Sequence, residues 1–371
     1  MNLYWFLPAH GDGRGLSRRN GEGPPQRAPD LSYLAQVAGA AEQLGFAGAL
    51  VPAGMFCEDP WLISAALAQR TARLKFMVAL RPGLISPMLA AQMAATGQRI
   101  TGNRIELNIV VGGDPDEQAR YGDWLDHEQR YARAAEFLTI VRGAWSGRPF
   151  DFSGTYFRVK GAVVRGTLMA PPVFVGGSSR AAQQVAAQLG DVYLAWGEVP
   201  GELEELFGTA RDAAGQSGRE ISLGTRFHVI SRDSADDAWA VARQLLENVD
   251  TAMIEAAAAR SRRSESVGQR RMSALHGGDV GKLEVYPNVW AGYGLIRPGP
   301  GAALVGSHDE IADRIEEFHR IGVRHLILSG QPHLEEAYWF GEGVIPRLRA
   351  RGLLDAGAPS GRVRAGEAAN G

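Results

Sequence analysis

Residues 173–189 read VFVGGSSRAAQQVAAQL, and this stretch contains the unit from which most of the chain is built. Its first three residues are apolar and mostly β-branched, which is typical of a buried strand. Two glycines and two serines follow, and the remaining residues place alanine, valine and leucine at helical spacing. A buried strand that runs directly into a helix predicts one β–α unit of a parallel sheet.

The same unit recurs on both sides of residues 173–189. Helical spacing follows in segments such as 31–44, 87–100, 130–145 and 180–189. Apolar runs that predict strands occur at eight places, namely residues 3–7, 48–51, 74–80, 105–111, 173–177, 191–196, 221–230 and 325–330. Eight β–α units favour a closed (β/α)8 barrel, the TIM-barrel fold, and an open doubly wound sheet is the alternative.

Two insertions interrupt this alternation. Residues 149–172 contain FDFSGTYFRVKGAVV, whose alternating pattern predicts a β-hairpin. Residues 250–301 show no clear secondary structure and are rich in arginine, so they are either a solvated mobile segment or a lid over an anionic ligand. We expect one domain over residues 1–354 and a disordered Gly/Ala/Arg-rich tail over 355–371.

Composition excludes several classes of protein. The formal net charge of −2 gives no electrostatic case for binding nucleic acid or an anionic membrane, and the one cysteine permits no internal disulfide. No apolar run is long enough to span a bilayer, and the amino terminus lacks the pattern of a signal peptide, so we expect a cytoplasmic protein. No histidine or cysteine cluster indicates a metal site.

The GGSS motif at 176–179 predicts a phosphate site, because it opens a helix directly after a strand. Small residues allow close approach of a phosphate, while free N–H groups and the helix dipole favour its negative charge. An ordinary Gly-Ser loop is the alternative. Neither a Walker loop nor a Rossmann fingerprint follows any strand.

The RFHV motif places Arg226 and His228 two residues apart in the seventh predicted strand, so both side chains point to one face. At the barrel mouth they would form a cation and a base, suited to holding an oxyanion and moving a proton. Cys57 has a different environment. Glu58 and Asp59 follow it, and they should raise the pKa of its thiol, which argues against a thiolate nucleophile.

Motifs along almost the whole chain resemble one family. They are YWFLPAHGDG, CEDPWL, FMVALRPGLISP, NIVVGGDP, LDHEQRYARAAEF, VFVGGSS, YLAWGE, RFHVI, SVGQRRMSALH, NVWAGYGLIRPGPGAALVG and LSGQPHLEEAY, in order over residues 2–350. The sequence resembles the bacterial alkanesulfonate monooxygenases of the luciferase-like superfamily.

This resemblance implies a (β/α)8 barrel that uses reduced FMN and O2. A separate NAD(P)H-dependent flavin reductase supplies the FMNH2, and the oxygenated flavin cleaves the C–S bond of a small alkanesulfonate to give an aldehyde and sulfite. It also implies a homodimer or homotetramer, and a mobile lid at the position of residues 250–301.

The resemblance assigns roles to individual residues. Those expected to hold FMN are Asn108, His127, Tyr131, Ser178 and Ser179. Those expected in the substrate and catalytic pocket are His10, Cys57, Trp196, Arg226, His228, Arg297, Gln331 and His333. Arg226 is expected to bind sulfonate oxygens or stabilise the oxygenated flavin, and His228 to assist proton transfer.

Gln331 departs from the family pattern, which has a tyrosine at this position. The change removes an acidic O–H and an aromatic wall from the pocket. The alternatives to an alkanesulfonate are therefore a sulfone or a specialised metabolite. An F420-dependent oxidoreductase of the same fold is a further alternative.

Overall fold

The computed structural model describes residues 1–15, 26–166 and 169–354. Its strands are β1 (Asn2–Phe6), β2 (Gly48–Val51), β3 (Lys75–Leu80), β4 (Ile105–Ile109), β5 (Phe150–Ser153), β6 (Arg158–Ala162), β7 (Val173–Gly176), β8 (Val192–Trp196), β9 (Ser222–Arg232), β10 (Glu284–Tyr286), β11 (Val289–Trp290), β12 (Ala303–Ser307) and β13 (Val323–Ser329). The predicted tail, residues 355–371, lies outside the described residues.

The helices cover the outside of these strands, with one 3-10 turn at Gly292–Leu295. They are α1 (Leu31–Leu44), α2 (Pro60–Ala68), α3 (Pro87–Thr101), α4 (Pro115–Arg120), α5 (His127–Trp145), α6 (Arg180–Leu189), α7 (Pro200–Gln216), α8 (Ala235–Leu246), α9 (Thr251–Arg263), α10 (Val267–His276), α11 (His308–Arg320) and α12 (His333–Ala350).

Eight parallel strands close into a barrel. The order around it is β1, β2, β3, β4, β7, β8, β9 and β13, and β13 pairs with β1 to complete the ring. These are the eight predicted strands, so the TIM-barrel prediction is confirmed and the open sheet is wrong. All eight strands end at the same rim, which is where barrel enzymes place their active sites.

Side chains that start the helices explain where each helix begins. Asp30, Ser86 and Ser179 each accept a hydrogen bond from a backbone N–H in the first turn of α1, α3 and α6. The helix α5 has a full capping box, formed by Asp126 and Gln129. The barrel interior is filled by a cluster at alternate strand positions, namely Tyr4, Phe6, Leu50, Met77, Phe174, Val192, Leu194 and Ile327.

The predictions for the two insertions have different outcomes. The predicted hairpin is confirmed as the antiparallel pair β5–β6. The prediction of no clear structure over 250–301 is wrong, because α9, α10, β10, β11 and the 3-10 turn lie there. After them, β12 pairs in parallel with the part of β9 that begins at His228, so the insertion is anchored to the barrel wall.

His325 gives the fold a predicted pH dependence. Its ring lies inside the barrel beside Tyr4 and Phe174, with centroid distances of 6.1 and 5.1 Å, and burial lowers its pKa to about 4. An unfolded histidine titrates near pH 6.5. Between pH 6.5 and 4 the unfolded chain therefore binds more protons, and stability falls as the pH is lowered.

We expect His325→Phe to flatten this dependence. The free energy of unfolding, measured by urea titration at several pH values, should fall less steeply between pH 6.5 and 4 in the variant than in the wild type. The same slope in both proteins would contradict the assignment.

Candidate active site

Arg226 and His228 both face the inside of the barrel. Arg226 is aligned with Trp196 on one neighbouring strand and with Ile327 on the other, and Ile327 belongs to the interior cluster. Because aligned residues of parallel strands face the same side, Arg226 points inward, and so does His228 two positions later. The prediction that they share one face is confirmed.

The guanidinium of Arg226 is a cation without a counter-charge. Its Cζ lies 4.2 Å from the centre of the Phe6 ring, and among the described residues no carboxylate or hydrogen bond pairs with it. Its Nε is buried and has no hydrogen-bond partner. Burial lowers its pKa to about 10, so it stays charged at neutral pH. An unpaired cation of this kind favours an anionic ligand.

His333 is held by a carboxylate that the sequence did not reveal. Asp12 is 4% exposed, and its Oδ1 accepts a hydrogen bond from Nδ1 of His333 at 3.0 Å. Its Oδ2 accepts from the backbone N–H of His333 at 2.8 Å and from the hydroxyl of Tyr33. Burial raises the pKa of Asp12, but the hydrogen bonds from His333 and Tyr33 outweigh it and hold the pKa well below its usual range.

The contact with Asp12 determines which ring nitrogen of His333 is available to a ligand. Because the carboxylate of Asp12 can only accept, Nδ1 carries the hydrogen, and in the neutral ring Nε2 has the free lone pair. The ring of His333 lies 5.6 Å from that of Phe6, which in turn lies 6.2 Å from His10. Desolvation at the barrel mouth, helped by the charges of the neighbouring residues, lowers the pKa of His10. Two histidines therefore flank Arg226 at the mouth.

His228 has a different environment, since both of its ring nitrogens have protein partners. Nδ1 lies 2.9 Å from the hydroxyl of Ser329, and Nε2 lies 3.1 Å from the carbonyl oxygen of Pro300. The ring stacks on Tyr293 at 3.8 Å with an interplanar angle of 3°. Burial, followed by the charges of Arg226 and Arg297, lowers the pKa of His228 well below its usual value.

Cys57 lies near Arg226 at the end of β2. Burial raises the pKa of its thiol to about 11, and the charge of Glu117 adds to this. The predicted direction of the shift is therefore confirmed. The predicted cause is only partly right, because Glu58 raises the pKa less than burial and Glu117 do. Glu117 itself pairs with Arg81, whose Nη2 lies 2.7 Å from its carboxylate.

The residues expected to hold FMN surround the turn between β7 and α6. The hydroxyl of Tyr131 donates to the carbonyl of Gly176 at 2.9 Å, and the ring of His127 lies 5.0 Å from that of Tyr131. Gly177 has φ of 135°, and a Cβ there would lie 2.2 Å from the Tyr131 hydroxyl. The turn thus requires glycine at this position.

This turn fits a phosphorylated cofactor. Ser179 caps α6 through the N–H of Ala182, at 3.2 Å, while the other N–H groups of the first turn have no partner within the helix. A Cβ on Gly176 would meet nothing closer than 3.9 Å, so a ligand can approach its backbone. Nearby, Oδ1 of Asn108 is buried without a hydrogen-bond partner. An open helix start and an unpaired buried amide are suited to a phosphate and a polar ring system.

The second insertion contacts the turn between β7 and α6, which is called the cofactor end of the mouth because FMN is expected there. Glu265 pairs with the buried Arg130 at 2.6 Å, and Arg271 pairs with Glu198 at 2.6 Å. A Cβ on Gly268, at the start of α10, would lie 3.1 Å from the Trp196 ring and 3.5 Å from the hydroxyl oxygen of Ser178. The insertion therefore covers two of the predicted site residues, Trp196 and Ser178.

The Arg271–Glu198 pair gives a stability prediction. Glu198 is 2% exposed, so removing its partner leaves a buried carboxylate unpaired. We expect Arg271→Met to lower the free energy of unfolding by about 2 kcal/mol. The same substitution in a Glu198→Gln background should cost much less, which a double-mutant cycle by chemical denaturation measures. Equal losses in both backgrounds would show that the ion pair does not hold α10 in place.

Gln331 and Arg297 complete the set of predicted residues. Nε2 of Gln331 donates to the carbonyl of Gly15 at 2.7 Å, and its Oε1 is buried without a partner. Arg297 follows the 3-10 turn of the insertion, close enough to lower the pKa values of His10 and His228. The barrel mouth thus gathers Arg226, Arg297, His10, His333 and Cys57, while Ser179, Tyr131 and Asn108 lie at the cofactor end.

Two kinds of feature are absent from the residues that the structure describes. Within residues 1–15, 26–166 and 169–354, no three His, Cys, Asp or Glu side chains are grouped so that they could hold a metal ion. In the same ranges, no helix has both the length and the apolar character that crossing a membrane requires.

The barrel is closed, and its mouth combines an unpaired arginine with an open helix start, an arrangement suited to anionic groups. The family model described as luciferase-like monooxygenase matches residues 1–325. The chain therefore belongs to the luciferase-like monooxygenase family.

Solved structures of known proteins share this fold. An EDTA monooxygenase (EmoA) from Chelativorans sp. BNC1 is 20% identical with a TM-score of 0.77, over 95% of this chain and 94% of that one. A riboflavin lyase (RcaE), solved with modified FMN and riboflavin, is 21% identical with a TM-score of 0.77, over 95% and 92%. An F420-dependent secondary alcohol dehydrogenase is 18% identical with a TM-score of 0.64, over 94% and 99%. At these identities the likeness shows the fold alone.

Proposed function

We propose that this protein is a monooxygenase that uses FMNH2 and O2 to cleave the C–S bond of a small alkanesulfonate. The observation that carries the proposal is the unpaired guanidinium of Arg226, which lies over the Phe6 ring inside the barrel. A sulfonate is a compact monoanion with three acceptor oxygens, which matches the planar donor set of arginine.

The cofactor end of the mouth would hold FMN. The N–H groups at the start of α6, with Ser178 and Ser179, would bind its phosphate, and Asn108 would offer its amide to the ring system. When bound, the reduced flavin supplies the electrons that activate O2. The protein needs a source of FMNH2, and we propose a separate NAD(P)H-dependent flavin reductase as its partner.

At the substrate end, Arg226 binds and orients the sulfonate oxygens. Nε2 of His333 is the ring nitrogen placed to take a proton from the carbon next to sulfur, because Asp12 fixes the hydrogen on Nδ1. The overall change is balanced: R-CH2-SO3⁻, O2 and FMNH2 give R-CHO, HSO3⁻, FMN and water. The C–S bond breaks, and one oxygen atom of O2 ends in water.

A sulfone or a specialised metabolite is the second candidate substrate, and of the two Gln331 favours a metabolite that carries a hydrogen-bond donor. The buried Oε1 of Gln331 has no partner, so this side chain can accept a hydrogen bond that the family's tyrosine would instead donate. A neutral substrate with a donor group would use that acceptor.

Sulfite release tests the proposal. Purified protein, FMN, a flavin reductase, NADPH and air are incubated with sulfonates from methanesulfonate to decanesulfonate, and sulfite is measured with a thiol reagent. We expect sulfite from at least one chain length and none when FMN or O2 is omitted. Oxygen uptake with dimethyl sulfone but no sulfite from any sulfonate would favour the second candidate. Tight binding of reduced F420 without binding of FMNH2 would reject both.

A further inference from the structure

A short segment of the insertion, residues 292–302, lies over the barrel mouth and carries Arg297. Internal hydrogen bonds give it a defined shape: the N–H of Arg297 donates to the carbonyl of Tyr293 at 3.1 Å, and the N–H of Gly294 donates to that of Gly301 at 3.1 Å. The N–H of Gly299 donates to Oε1 of Gln269 in α10 at 2.9 Å. Whatever holds this segment on the barrel therefore sets the position of Arg297.

His228 contacts the segment in three ways. Its Nε2 lies 3.1 Å from the carbonyl oxygen of Pro300, and its ring stacks on Tyr293 at 3.8 Å. Its backbone N–H donates to the carbonyl of Ala302 at 2.9 Å. The contacts with Pro300 and Ala302 lie on either side of Gly301 and hold the carboxyl-terminal end of the segment. The stack on Tyr293 holds its amino-terminal end, before Arg297.

The hydrogen-bond partners of His228 determine which of its ring nitrogens carries the hydrogen. The carbonyl of Pro300 can only accept, so Nε2 must carry the hydrogen. Nδ1 then has a lone pair, and it accepts the hydroxyl hydrogen of Ser329, which is fully buried. With both nitrogens used, the ring has no lone pair for a substrate proton in this arrangement.

We infer that His228 is a positioning residue: it fixes the segment that carries Arg297 over the mouth and does not itself transfer a proton. This inference differs from the prediction that His228 assists proton transfer. The physical reason is that its two nitrogens bind Ser329 and Pro300, whereas Nε2 of His333 has no hydrogen-bond partner among the described residues. The inference rests on the proposed function only in assuming that Arg297 faces the bound anion.

The charge state of the His228 ring agrees with a positioning role. Burial and the charges of Arg226, Arg297 and His333 all favour the neutral ring of His228. A neutral ring keeps one donor and one acceptor, which is the pair that Pro300 and Ser329 require. A protonated ring would instead present two donors and add a charge beside two arginines.

Two amide variants separate positioning from proton transfer. In His228→Gln the amide nitrogen can reach the position of Nε2 and still donate to Pro300. In His228→Asn the shorter side chain reaches only the position of Nδ1 and loses that bond. Neither amide can transfer a proton near neutral pH, so an acid–base role predicts equal loss of activity in both.

Hydrogen exchange of the ligand-free variants is the first measurement, and it needs no substrate. We expect the amides of Gly294, Arg297 and Gly299 to exchange more than tenfold faster in His228→Asn, and close to the wild-type rate in His228→Gln. The exchange rates in Ser329→Ala should lie between those of the two amide variants. This substitution removes the hydroxyl that donates to Nδ1 of His228 but keeps the bond from Nε2 to Pro300. Thermal unfolding checks that each variant is folded.

Steady-state kinetics with the substrate found by the sulfite assay is the second measurement. We expect KM to rise on the order of tenfold or more in His228→Asn, with a smaller change in kcat, and His228→Gln to recover most of the loss. Equal exchange of the three amides in wild type and both variants would overturn the inference. So would equal loss of kcat in both variants with unchanged KM. If no substrate is found, the exchange result still decides the positioning role.

Discussion

The Arg226→Ala protein is expected to lose turnover by a factor on the order of 10²–10³ while it still binds FMN with nearly unchanged affinity. The guanidinium has no counter-charge among the described residues and lies over the Phe6 ring of β1, whereas the groups proposed to hold the phosphate belong to the turn between β7 and α6. Its removal therefore takes away the group proposed to bind the substrate anion and leaves the proposed phosphate site unchanged.

Arg226→Lys is the matched control for this prediction. It keeps the positive charge but loses the planar pair of donors, so we expect a smaller loss of kcat/KM than in the alanine variant. Flavin binding is measured by quenching of protein fluorescence, and turnover by sulfite release. Wild-type activity in Arg226→Ala would show that another group binds the anion, and loss of flavin binding would place Arg226 at the cofactor end.

Asp12→Asn is expected to reduce both stability and turnover, although the two side chains have the same shape. Oδ1 of Asp12 accepts from the backbone N–H of Gly13 at 2.8 Å as well as from Nδ1 of His333, and Oδ2 accepts from the backbone N–H of His333 and from Tyr33. In either orientation, the amide NH2 of asparagine would face a backbone N–H. One buried donor would always lose its acceptor.

The expected size is a loss of about 3 kcal/mol in the free energy of unfolding, because a buried ionic hydrogen-bond network is broken. Turnover should fall on the order of 10²-fold, because His333 loses the carboxylate charge and, in either orientation of the amide, one of its two hydrogen bonds to residue 12. Tyr33→Phe is the control: it removes one hydrogen bond to Asp12 and leaves both contacts with His333, so its turnover should stay within about threefold of wild type. A folded Asp12→Asn protein with wild-type turnover would exclude His333 as the proton acceptor.

The barrel could be predicted from sequence because each strand is a local apolar run with a helix after it. The second insertion could not. The helix α9 has no buried residue and α10 has few, so neither shows the apolar periodicity by which helices are predicted. The N-cap residues of these helices, Asp250 and Ser266, can be recognised in the sequence, and α9 and α10 could have been predicted from them. The strand β12 is short and follows a Pro-Gly turn, so its apolar residues were not predicted as a strand.

The site was predicted residue by residue, but its pairings were not. Arg226 and His228 could be placed on one face because they belong to a single strand. The partner of His333 is Asp12, which lies 321 residues away, and the partner of His228 is Ser329, 101 residues away. Contacts across such distances exist only once the barrel is closed. The sequence therefore indicated which groups reach the mouth, but not which nitrogen of each histidine is available.

Cys57, the sole thiol of the chain, makes the protein convenient for spectroscopy. Burial raises its pKa to about 11, so it reacts slowly with maleimides near neutral pH, whereas an exposed cysteine reacts quickly. A single cysteine introduced on the exposed side of α9, for example Arg262→Cys, would therefore take a fluorophore selectively without any change to the native thiol. The emission of a fluorophore placed there would report changes in the surroundings of the insertion in solution.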